Sequence, residues 1–113
     1  MLTVEKLKEY GADVKTGLSR CMNNEAFYFR LIGMAVKEPS VAALGEALDA
    51  GDLKKAFEEA HKLKGVMGNL SLTPVFEPAS KLTELLRAET AGDYAALYNE
   101  IVKNVEALRA MLD

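Results

Sequence analysis

Apolar residues recur at helical spacing along most of the chain, and the gaps between stripes fall at residues that begin or end helices. Val4 to Tyr10 fits a short first helix, with Thr3 as N-cap and Gly11 as a left-handed stop. Gly11 to Met22 reads as an irregular connection with about one helical turn. After Asn23 and Asn24, both good caps, Phe27, Leu31, Met34 and Ala35 carry a helix to about Lys37, and Pro39 ends or kinks it. Ser40 is expected to cap the next piece, whose stripe of Val41, Leu44 and Leu48 closes at Gly51. Asp52 then caps a long helix over about Leu53 to Leu70.

Ser71 to Pro74 turns the chain, with Thr73 as N-cap and Pro74 at the first helical position of a stripe made by Val75, Ala79, Leu82 and Leu86. Pro78 leaves the start of this helix open by about a turn. Gly92 and Asp93 mark the last junction, after which Tyr94, Leu97, Ile101, Val105, Leu108 and Leu112 are spaced by threes and fours. Connections this short force successive long helices to run antiparallel. The expected fold is all-α: an antiparallel up-and-down four-helix bundle with additional short N-terminal helices, occupying 1–113 as one domain.

Composition agrees with this pattern. Sixteen Ala and sixteen Leu stand against eight Val and two Ile, a balance that favours helix over strand. With 113 residues and 50% hydrophobic side chains, one core suffices, because a folded chain of this size buries roughly 65% of its unfolded surface. Cys21 is the only cysteine, which excludes an internal disulfide and a thiolate zinc cluster and favours a reducing, cytoplasmic setting. Glu5, Lys6, Lys8 and Glu9 interrupt the first ten residues, so no signal-peptide run is expected. No stretch approaches the about 18 uncharged residues of a membrane span. A net charge of −3 has the wrong sign for a nucleic-acid partner.

His61 is the only histidine. On a helical wheel Leu53, Ala56, Ala60, Leu63, Met67 and Leu70 form an apolar arc centred about 130° from it, so the imidazole is expected to point off the core face. Lys54, Phe57, Glu58, Lys64, Gly65, Gly68 and Asn69 all fall within about 80° of His61 and form its own strip. Each of the two glycines costs about 1 kcal/mol of helix stability relative to alanine, and the gain would be close access for another protein. Lys64 stands one turn along, where a cation would meet a phosphoryl group on His61. An imidazole is largely uncharged and nucleophilic near neutral pH. The ordinary alternative is a solvated surface histidine, with glycines that permit close helix packing and a solvated lysine.

The run His61-Lys62-Leu63-Lys64-Gly65, followed by Gly68-Asn69-Leu70 and Leu72, resembles the histidine-x-leucine-lysine-glycine signature of histidine phosphotransfer (HPt) domains. The resemblance extends from about Tyr10 to Arg87, taking in Gly11, Asp13, Gly17-Leu18 and Tyr28 before the signature and Leu82 and Arg87 after it. The C-terminal helix matches only as an amphipathic pattern. What the resemblance implies is a bundle whose exposed histidine takes a phosphoryl group from the aspartyl phosphate of a receiver domain and passes it to another receiver. His61 would be the phosphorylated nucleophile, Lys64 the charge that steadies the phosphoryl oxygens and Gly65 the gap that admits the partner. Lys54, Phe57, Glu58, Gly68 and Asn69 would line the docking surface. The family commonly carries glutamate or glutamine on the following helix near the imidazole. The corresponding position here is Thr83, a shorter and weaker orienter, and the family's frequent glycine after the Asn-Leu pair is Ser71.

A phosphoryl carrier of this kind needs no nucleotide pocket, and the sequence has no Gly-x-x-x-x-Gly-Lys-Ser/Thr loop, so ATP-dependent kinase activity is not expected. No cofactor or metal of its own is expected; the divalent cation would come with the receiver domain. The expected partners of this monomer are response-regulator receiver domains and a hybrid histidine kinase. The rival from another class is a helical interaction module that binds a receiver or kinase without being phosphorylated.

Overall fold

Thr3, Asp13, Asn24, Asp52 and Asp93 each turn a side-chain oxygen onto the backbone N–H three residues ahead, and each opens a helix. In the computed structural model, which describes residues 1–90 and 92–112, the described residues form seven helices and no strand. They are α1 (Val4–Tyr10), α2 (Val14–Arg20), α3 (Glu25–Ala35), α4 (Ser40–Asp49), α5 (Leu53–Asn69), α6 (Thr73–Arg87) and α7 (Tyr94–Ala110). Gly11 ends α1 at φ 108°, and Gly51 precedes α5 at φ 69°.

Three expectations need correction. The segment from Gly11 to Met22, read as irregular, contains α2, because Asp13 accepts from both the backbone N–H and the hydroxyl of Thr16 while Val14 is buried. Ser40 does not cap α4; it is the first helical residue, buried, with its hydroxyl donating to Glu38 Oε1 at 3.1 Å. Thr73 lies inside α6 and Leu72 takes the cap position without a side-chain bond.

Pro78 sits within α6 rather than before it. Having no N–H, it cannot engage the Pro74 carbonyl one turn earlier. Asn104 of α7 donates its side-chain amide to that carbonyl at 2.8 Å, so the defect is repaired from the neighbouring helix.

α5 packs against α6 and α4, α6 packs against α7, and contacts between α4 and α7 close the four-helix bundle. Ala56, Ala60, Leu63 and Met67 of α5 meet Leu44 of α4, Val75, Ala79 and Leu82 of α6, and Ile101, Val105 and Leu108 of α7 in one buried cluster. Leu53, placed on the apolar arc by the wheel, is 39% exposed at the first turn of α5.

α2, the residue that caps it and α3 are fixed to the C-terminal end of α5 by hydrogen bonds. Arg20 donates to the Gly68 carbonyl at 2.6 Å, Tyr28 to Leu70 at 2.7 Å and the Asp13 backbone N–H to Ser71 at 3.0 Å. A helix end leaves carbonyls without intrahelical partners, and here they tie α2 and α3 down beside the middle helix. Ser71 makes this turn at φ 55°, in the left-handed region.

Candidate functional site

His61 lies in the middle of α5 and is exposed, while Ala60 and Leu63 on either side are fully buried. The wheel therefore gave the direction of the imidazole correctly. One turn earlier, the Phe57 ring lies against it with centroids 5.8 Å apart and planes at 19°. Phe57 is half-buried and also packs on the core, so it is both a core-edge residue and a neighbour of the imidazole.

Lys64, one turn after His61, is half-buried with its ammonium 3.9 Å from Glu84 Oε1 on α6. The other oxygen of Glu84 is 3.3 Å from Arg87 Nε, and the Arg87 guanidinium stands 5.1 Å from the centre of the Phe57 ring. The contacts thus run from His61 through Phe57, Arg87 and Glu84 to Lys64.

The two glycines of the strip differ. Nothing lies within 4 Å of where a Cβ on Gly65 would stand, whereas a Cβ on Gly68 would meet the Phe76 ring of α6 at 3.0 Å. Gly65 leaves open surface; Gly68 permits helix packing.

A hollow of about 490 Å3 opens beside the imidazole. It is lined by His61, Lys64, Gly65, Gly68 and Asn69 of α5, by Asp13, Thr16 and Arg20 at α2, and by Ser71, Thr73 and Phe76. Hydrogen bonds from the Thr16 hydroxyl and backbone hold the Asp13 carboxyl below the usual carboxylate range. Lys54 and Glu58 are exposed on the turns before His61 and do not line the hollow.

Thr83 is fully buried, its hydroxyl donates to the Ala79 carbonyl of its own helix at 2.7 Å, and it makes no hydrogen bond to the imidazole. Sequence reasoning also missed Arg20 and Glu84 as neighbours of the site. The i, i+3 spacing of Glu84 and Arg87 is visible in the sequence, but the register that faces them to α5 is not.

The Hpt domain family matches residues 38–113, more than half of the chain, a span that holds the whole bundle from α4 to α7. The chain belongs to the Hpt domain family. Searches of curated proteins and of solved structures find no match. The matched span of this Hpt domain includes the C-terminal helix, whose own likeness to the family is an amphipathic pattern, and leaves out residues 10–37, which the resemblance around the signature takes in. Membership implies phosphotransfer in two-component signalling, in which Hpt domains interact with receiver domains and kinases. Among the described residues no helix is long and apolar enough to cross a membrane.

Proposed function

We propose that this Hpt domain is a phosphorelay intermediate in which His61 accepts a phosphoryl group from a receiver-domain aspartyl phosphate and passes it to a second receiver. The observation that carries the reading is an exposed imidazole bordered by the bare surface of Gly65, with the Lys64 ammonium one turn away. The ring nitrogen without a proton donates its lone pair to phosphorus. The bond from phosphorus to the aspartyl oxygen breaks with its electrons left on the carboxylate, and the proton on the other ring nitrogen stays in place. Transfer of this kind depends on positioning and charge stabilisation. Lys64 neutralises part of the phosphoryl charge, and Gly65 lets the receiver approach. Phe57, Gly68 and Asn69 border the docking face, with Lys54 and Glu58 at its rim. The divalent cation comes with the receiver, the chain acts as a monomeric carrier without ATP-dependent kinase activity, and the setting is cytoplasmic.

Thr83 favours a second reading, a receiver- or kinase-binding module that is never phosphorylated, because its hydroxyl is committed to Ala79. Incubation with labelled phospho-receivers separates the two. The relay reading expects an acid-labile, alkali-stable label on the unaltered chain and none on His61→Gln. Binding without label in both forms favours the module.

A further inference from the structure

With the Thr83 hydroxyl turned to Ala79, the side chain lying against the imidazole is Phe57. The attacking lone pair of an imidazole lies in the ring plane, so the tilt of that plane decides whether a nitrogen or a ring face meets an incoming phosphorus atom. A neighbour in offset stacking, its plane at 19° and its centroid 5.8 Å away, restricts that tilt. Phe57 is itself restrained. Its inner side packs on the core, Arg87 reaches across the α5–α6 seam to stand over its ring, and Arg87 is held by Glu84 one turn earlier on α6.

We propose that Phe57, braced by Arg87 and Glu84, is the positioning residue for His61, doing by ring stacking what a hydrogen-bonding side chain on α6 would otherwise do. This rests on the relay reading above. It assigns Phe57 a role distinct from receiver contact: a docking residue sets how tightly the receiver binds, whereas a positioning residue sets how fast the bound pair reacts.

Because His61 is the only histidine, its ring protons can be followed individually by NMR. In the unaltered protein those nearest Phe57 are expected to be displaced from the positions of a free imidazole by its ring current. Phe57→Leu, which keeps apolar bulk, should abolish that displacement, and Phe57→Tyr should retain it. In single-turnover transfer from a phosphorylated receiver, Phe57→Leu should lower the saturating rate roughly three- to tenfold, the equivalent of one aromatic pair. The half-saturating receiver concentration should change by less than the rate does, and Phe57→Tyr should restore the rate. Arg87→Met should give a smaller loss in the same direction. A higher half-saturating concentration with an unaltered rate would make Phe57 a docking contact and overturn the proposal. Ring protons that ignore Phe57→Leu would overturn it whichever way the transfer assay falls. No transfer to the unaltered chain from any receiver would instead overturn the relay reading.

Discussion

The ammonium of Lys64 and the carboxylate of Glu84 face each other at 3.9 Å across the seam between α5 and α6, and the same carboxylate also holds Arg87. In the resting domain Glu84 is thus the counter-ion of the lysine assigned to the phosphoryl group. Glu84 is more than half exposed, and such a pair contributes about 0–1 kcal/mol. Glu84→Gln should leave unfolding free energy nearly unchanged while shifting the equilibrium with a phospho-receiver toward phosphohistidine, by no more than about fivefold. Lys64→Ala should shift it the other way. Quantifying label on both proteins at equilibrium checks both signs.

Gly65 and Gly68 should respond differently to alanine. Gly65→Ala adds a Cβ in open space and should stabilise the domain by up to about 1 kcal/mol in urea unfolding, while slowing transfer from the receiver that must approach there. Gly68→Ala should not show that gain, because its Cβ would press on the Phe76 ring.

Ser71 occupies the left-handed region at φ 55°, at the position where the family frequently has glycine. The strain is of order 1 kcal/mol for a non-glycine residue. Ser71→Gly should therefore raise the unfolding free energy by about 0.5–1 kcal/mol, the upper bound being reduced by the extra freedom of glycine in the unfolded chain. Equilibrium unfolding measures it.

Burial pushes the Tyr28 phenol up to about 12 from 10.0, and the Tyr10 phenol is raised by the same cause. Below pH 10 both folded and unfolded chains keep these protons. Between about pH 10 and 12 the unfolded chain releases them first, so stability falls as pH rises through that window. Tyr28→Phe loses the bond to the Leu70 carbonyl and should cost about 1 kcal/mol at neutral pH, yet lose less on further alkalinisation. Urea midpoints from pH 8 to 12 for both proteins provide the check.

Caps whose side chain bonds its own helix start are local, and several were legible, although Ser40 and Thr73 proved to be the first helical residues rather than caps. Thr3, Asn24 and Asp52 each bond the backbone N–H three residues on, which requires nothing from the rest of the chain. The exposure of His61 was equally legible, since the apolar arc of its own helix dictates which side is buried. Pro78 inside α6 could not be foreseen, because the group that repairs its missing hydrogen bond, Asn104, lies 30 residues from the freed Pro74 carbonyl.

Periodicity thus determined every described helix but α2, the bundle and the outward face of the imidazole, because a helix's spacing of apolar side chains leaves one side for the core. Only the tertiary structure decided the surroundings of that imidazole. Glu84, Arg87 and Arg20 reach the site through the register of α6 and the docking of α2. That register is set by how buried side chains interlock across helices, and no spacing within a single helix encodes it.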